Sequence, residues 1–101
     1  MNENGYTVNE IKEVVFPVAK KYGVDKIYLF GSFARGDSKS DSDIDLRIDK
    51  GRVRGLQMAS LLLDLEEALG RHVDLLSTKA LDNDFLKSIE KEEKLIYESD
   101  Q

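Results

Sequence analysis

The sequence predicts a small α/β or α+β domain, one sheet with helices packed on one face. Three observations predict it. Apolar residues recur at helical spacing in three segments. Short β-branched and aromatic runs separate those segments. The two patterns alternate within only 101 residues. That length allows one core, so residues 1–101 are read as a single domain.

The first helix is expected over TVNEIKEVVFPVAKKYG. Thr7 followed three residues later by Glu10 forms a capping-box pair. Ile11, Val14, Val15, Val18 and Tyr22 recur as its apolar stripe. Pro17 lies inside that stripe and is expected to kink or split the helix, and Gly23 to end it. DKIYLF reads as a first strand and DIDLRI as a second. LQMASLLLDLEEALG reads as a second helix, stopped by Gly70. HVDLLS is a third strand, NDFLKSIEKEE a third helix and KLIYE a short last strand. No repeat, low-complexity stretch or Pro/Gly-rich linker divides the chain.

Composition excludes several functions. The net charge of −5 argues against a surface that coats nucleic acid. The absence of cysteine excludes disulfides, thiolate zinc sites and a cysteine nucleophile. A single histidine, His72, excludes a histidine-rich metal site. MNENGYTVNE has no basic-then-apolar targeting pattern, and no apolar run is long enough to span a membrane, so a cytoplasmic protein is expected.

The chemistry concentrates in FGSFARGDSKSDSDIDLRID, where Asp41, Asp43, Asp45 and Asp49 crowd into nine residues. Successive side chains of a strand point to opposite faces. Asp43 and Asp45 then share one face, about 6–7 Å apart along the strand, while Ile44 and Leu46 face the core. Two carboxylates so placed repel unless a cation lies between them, and their hard oxygens suit Mg²⁺ or Mn²⁺. Asp74 stands in an apolar strand, where an acid is expensive to bury alone. If that strand lies beside the first, Asp74 completes a triad able to hold two metal ions. The alternative is a solvated acidic loop, which is where Asp37, Asp41 and Asp49 are left.

Two familiar ligand loops fail. An EF-hand begun at Asp41 would need glycine and glutamate where Leu46 and Arg52 stand. Gly31 and Gly36 have P-loop spacing, but Asp37 and Ser38 replace the lysine and hydroxyl residue that must follow. What remains is a strand end, LFGS. There Gly31 lets backbone approach closely, and Ser32 and backbone N–H groups could meet phosphate oxygens or simply form a turn.

Gly31-Ser32, ten intervening residues and Asp43-x-Asp45 together resemble the signature of the DNA polymerase β-like nucleotidyltransferases. GSFARGDSKSDSDIDL is similar to the minimal nucleotidyltransferase branch, which reads close to G-S-x-A-R-G-x-x-x-x-x-S-D-x-D-L. The acid in VDLL falls where that branch places its third carboxylate. The resemblance runs from the first helix to LIYE. It implies an α+β fold with a small mixed sheet. It further implies that Asp43, Asp45 and Asp74 ligate two Mg²⁺ ions (Mn²⁺ is an alternative) and carry catalysis. Gly31 and Ser32 would hold the triphosphate, with Arg35 and Ser42 matching the motif around it. Arg47 departs from the pattern, where the family more often has an apolar or small residue. It shares a face with Asp43 and Asp45, and could pair with a carboxylate, meet phosphate or extend into water.

The implied reaction is transfer of AMP from ATP to an acceptor hydroxyl. Minimal proteins of this kind resemble the antitoxin half of two-gene modules whose partner is a helical HEPN-domain RNase toxin. There the enzyme adenylylates a tyrosine of the toxin. Two other readings stay open: an enzyme for a small molecule with a separate binding subunit, and a non-catalytic antitoxin that neutralises its partner by contact. The acidic balance makes direct nucleic-acid binding unexpected and suits a basic partner protein. A homo-oligomer is compatible with the sequence.

Overall fold

The computed structural model describes residues 6–100. Residues 1–5, which begin the segment read for a targeting pattern, lie outside the described residues. The chain runs α1 (Val8–Tyr22), β1 (Lys26–Phe30), α2 (Ser32–Arg35), β2 (Ile44–Asp49), α3 (Gln57–Leu69) and β3 (Val73–Ser77). A 3₁₀ turn (Thr78–Ala80), α4 (Asn83–Glu90) and β4 (Lys94–Glu98) follow. The sheet is mixed, in the order β3-β2-β1-β4. β1 is antiparallel to both β2 and β4, and β2 is parallel to β3. A parallel pair needs a long crossover, which α3 supplies. This is the α+β mixed sheet that the sequence implied.

Both arms of the capping box form at the start of α1. The Thr7 hydroxyl accepts from the Glu10 N–H at 3.1 Å, and the Glu10 carboxylate accepts from the Thr7 N–H at 2.8 Å. Of the two outcomes expected at Pro17, a split does not occur, and the helix is continuous from Val8 to Tyr22. Pro17 and Glu13 are both exposed. The carbonyl that loses its helical donor therefore lies on the wet side, where water can satisfy it. Gly23 and Gly70 end α1 and α3 in the left-handed conformation, as the sequence indicated.

Ile11, Val15 and Ala19 of α1 meet Leu61, Leu65 and Leu69 of α3 over one face of the sheet. Ile27 and Leu29 of β1 and Ile44, Leu46 and Ile48 of β2 rise from that face, all fully buried. The alternate residues Tyr28, Phe30, Asp45 and Arg47 point to the opposite face. α4 touches that face, with Phe85 edge-on to Phe30 at a centroid distance of 6.3 Å.

Arg47 takes the first of its three expected options, but with a partner from outside the acidic motif. Its guanidinium holds both carboxylate oxygens of Glu93, at 3.0 and 2.5 Å, and donates to the Thr78 hydroxyl at 2.9 Å. It also stacks 3.9 Å from the centre of the Tyr28 ring. Side-chain exposure is only 6% for Arg47 and 11% for Glu93. Removing one partner therefore strands a buried charge, at a cost of about 3–5 kcal/mol. Glu93→Ala is expected to lower stability by about that amount in urea melts. The paired replacement Arg47→Met with Glu93→Leu is expected to recover most of it, because both charges then leave together.

Candidate active site

The register of β2 assembles the site. Asp45 pairs with Phe30 of β1 on one side and with Asp74 of β3 on the other. One row across the sheet thus ends β1 next to two carboxylates on adjacent strands. Asp43 lies just before β2, two residues from Asp45. Asp43, Asp45 and Asp74 line one open cleft together with Gly31, Ser32, Arg35 and Ser42. Every residue expected to bind metal or nucleotide therefore lines the same space.

Gly31 is required there on two counts. Its backbone has φ 75° and ψ −154°, a region that L side chains rarely adopt. A Cβ on it would lie 2.2 Å from Asp45 Oδ2. Its missing side chain makes room for the carboxylate. The chain then turns into α2, whose Phe33 and Ala34 anchor in the core while Arg35 stays outside. No protein group among the described residues bonds the Ser32 hydroxyl. The Gly31 N–H and the Arg35 guanidinium both donate to Glu92, at 2.8 Å each.

The acidic loop before β2 is tied down. Arg71 donates to the carbonyls of Ser40 and Ser42, at 2.8 and 2.9 Å. The Ser42 hydroxyl accepts from the Lys39 N–H at 2.7 Å, and the Ile44 N–H donates to the His72 carbonyl at 3.1 Å. Asp41 is exposed, as expected of a loop acid, whereas Asp37 pairs with Arg35 at 3.1 Å.

Asp74 corrects one premise. Its side chain is 50% exposed, so desolvation does not demand a partner for it. Strand alternation alone turns it onto the open face. His72, which sequence reasoning used only to exclude a histidine-rich site, stands beside it. His72 Nε2 is 3.3 Å from Asp74 Oδ1, and Nδ1 is 3.0 Å from Glu66 Oε2. Partial burial works against a charge on His72, but Asp43, Asp74 and Glu66 outweigh it and raise its pKa. Residues 72 and 74 share a strand face, which was the available signal for this neighbour.

Asp45 feels the accumulated charge most. Burial, then a hydrogen bond and repulsion from Asp74, then repulsion from Asp43 push its pKa up to about 6, against a lowering by Arg35. Such a site favours a proton or a cation. Single ligand atoms from Asp43, His72 and Asp74 also lie within 4.8 Å of one another. Carboxylate oxygens from two strands are a hard donor set that fits a divalent ion such as Mg²⁺.

Comparison with known proteins places the chain in a family. Residues 9–101 match the family model described as polymerase beta, nucleotidyltransferase. The chain belongs to this nucleotidyltransferase family. Among its relatives is the protein adenylyltransferase MntA of Thermococcus cleftensis, 33% identical over 91 residues, covering 85% of this chain and 92% of that protein. A candidate protein adenylyltransferase of Methanocaldococcus jannaschii is 40% identical over 99 residues, covering 90% of this chain and 97% of its own length. A solved toxin–antitoxin structure with AMP-PNP shares the fold at a TM-score of 0.75 and 22% identity, over 89% of this chain and 75% of that one. The chain is thus a nucleotidyltransferase with MntA-type adenylyltransferases among its relatives. Among the described residues, no helix is long and apolar enough to cross a membrane.

The raised pKa of Asp45 has a definite sign. The folded protein holds that proton more tightly than the unfolded chain does. Stability is therefore lost as pH rises from the ordinary carboxylate value near 4 through about 6. Without metal, Asp45→Asn is expected to raise the melting temperature at pH 8 and to raise it less at pH 5, in thermal melts with EDTA. Gly31→Ala is expected to lower the melting temperature at both pH values. An Asp45→Asn protein less stable than wild type at pH 8 would show that this acid supports the fold.

Proposed function

We propose that this chain, as a single minimal domain, is a metal-dependent protein adenylyltransferase. It transfers AMP from ATP to a tyrosine hydroxyl of a separately encoded, helical HEPN-type toxin and so neutralises it. The observation that carries the reading is the convergence of Asp43, Asp45 and Asp74 beside the Gly31-Ser32 turn. The family supports nucleotidyl transfer, and the MntA relative supports a protein acceptor. The toxin–antitoxin structure of the same fold, with its ATP analogue, supports the partner and the nucleotide by analogy of fold.

Asp43 and Asp45 would hold two Mg²⁺ or Mn²⁺ ions, and Asp74 would help hold the one nearer the acceptor. When bound, the ions supply a lowered pKa for the attacking hydroxyl and charge stabilisation for the departing pyrophosphate. The Gly31 N–H and the Ser32 hydroxyl offer hydrogen bonds to the triphosphate, and Arg35 brings a positive charge. Ser42 shapes the loop that presents Asp43. The acceptor oxygen forms a bond to the α-phosphorus while the bond to the β-phosphate oxygen breaks. Pyrophosphate leaves, and the hydroxyl proton passes to solvent. The chain's own contribution is position and electrostatic preorganisation. The cleft has a volume of about 420 Å³ and is open, so a protein acceptor can reach it from outside.

Incubation with the neighbouring-gene product, ATP labelled at the α-phosphate and Mg²⁺, followed by adduct mapping, tests the reading. Label is expected on a partner tyrosine and is expected to vanish with Asp45→Asn. Label confined to RNA or to a small molecule would overturn it.

Asp74→Asn is expected to lower kcat by at least about 10²-fold while nucleotide affinity changes only a few-fold. That pattern marks a contact made mainly in the transition state. Parallel loss of both would remove Asp74 from its assigned role.

Calorimetric titration is expected to show ATP binding that weakens strongly with EDTA. Equal affinity with and without the chelator would overturn the two-metal arrangement.

A further inference from the structure

Glu92 occupies the position of an anionic ligand. Its Oε2 accepts from the Gly31 N–H and from Arg35 Nη1, each at 2.8 Å. These are two of the donors assigned above to the triphosphate. Glu92 comes from the turn between α4 and β4, 61 residues from Gly31 in sequence. The contact is therefore made by the tertiary fold and not by local chain geometry. It brings a fourth carboxylate to a cleft that already holds Asp43, Asp45 and Asp74. Like charges gathered this way are unfavourable, and Arg35 is the cation that compensates. The Glu92 side chain is 27% exposed, so water can receive it when it leaves.

A backbone N–H carries one hydrogen. It cannot serve the Glu92 oxygen and a phosphate oxygen in full at once. The guanidinium keeps spare N–H groups, but its charge is shared between Glu92 on Nη1 and Asp37 on Nε. Nucleotide binding through the Gly31 N–H therefore requires Glu92 to give way, and its departure also frees the Arg35 charge for phosphate. We propose that Glu92 is a built-in phosphate mimic that competes with the triphosphate for Gly31 and Arg35 and so sets the nucleotide affinity of the site. The inference rests on the nucleotide-binding reading of that cleft and adds a residue outside the sequence motif to it. The apparent affinity is the intrinsic affinity reduced by the fraction of molecules in which Glu92 has swung away. An anion that lacks enough additional contacts, such as free phosphate, would fail to displace it. A metal-bound triphosphate, gripped also by Asp43 and Asp45, would succeed.

The test is calorimetric titration of the full chain with AMP-PNP and Mg²⁺, comparing wild type with Glu92→Gln. The glutamine can still accept from the Gly31 N–H but lacks the charge that binds Arg35. The expected result is a Kd about tenfold lower than wild type, the size of one charge-assisted hydrogen bond. Simple structural damage would move affinity the other way. Glu92→Asp keeps the charge but is one methylene shorter; it is expected to give a smaller gain and serves if the glutamine variant folds poorly. Asp37→Asn removes another acid that pairs with Arg35 but leaves the Gly31 N–H occupied, and should gain less than Glu92→Gln. Placed on Arg35→Gln, the Glu92→Gln gain should largely disappear. Unchanged or weaker binding by both Glu92 variants would overturn the proposal, and so would an equal gain from Asp37→Asn, which would point to general charge. Wild-type binding without a Glu92 effect would leave the nucleotide site standing. Absence of binding by every protein, wild type included, would overturn the site reading and the mimic with it.

Discussion

β2 is hydrogen-bonded along both edges, and its register fixes the rest of the molecule. A slip of one residue would turn Ile44, Leu46 and Ile48 out of the core and bring Asp45 and Arg47 in. The apolar alternation forbids that slip by several buried side chains at once, each worth about 1.5–3 kcal/mol. The same register sets Asp45 between Phe30 and Asp74. Hydrophobic burial on one face thus positions carboxylates on the other. The strongest term in folding holds together an arrangement that electrostatics alone would disperse.

The open face divides into two electrostatic regimes. Around Asp45 negative charge is left in excess, and the raised pKa records it. Two residues further along the strand, Arg47 is enclosed by Glu93, Thr78 and the Tyr28 ring. Glu92 and Glu93 are adjacent in sequence yet face these two regimes separately. Glu93 completes a buried pair that belongs to the fold. Glu92 meets an N–H and a guanidinium at the cleft, where an incoming anion can replace it. The turn between α4 and β4 therefore joins scaffold and site within two residues.

Much of this was legible in the sequence because it is written at short range. Period-2 and period-3.6 patterns, the Thr7–Glu10 cap and the glycine stops each involve neighbours in the chain. The Gly31-Ser32 and Asp43-x-Asp45 spacing is also local, and strand alternation puts both acids on one face without knowledge of the fold. α2 was not anticipated, because four residues are too few to display a period. The continuity of α1 through Pro17 depended on which side of the helix faced water. Glu92 and Arg71 reach the site, and Glu93 reaches Arg47, from 29 to 61 residues away. The sequence pattern reads Glu92 and Glu93 as the end of its third helix, which instead stops at Glu90, and only the packed sheet reveals which carboxylates have partners.

The contact between Gly31 and the Asp45 carboxylate binds two positions into one mutational unit. A side chain added at position 31 must displace the acid from its present place, because the first carbon would fall on its oxygen. The acid in turn can be lost without disturbing the glycine. Change is therefore one-way: position 45 must yield before position 31 is relieved of its steric conflict. In a chain that keeps this register, a larger residue at position 31 would mark a cleft whose central acid has already been abandoned. Loss of the glycine is then the informative event, because its retention is compatible with either state of position 45.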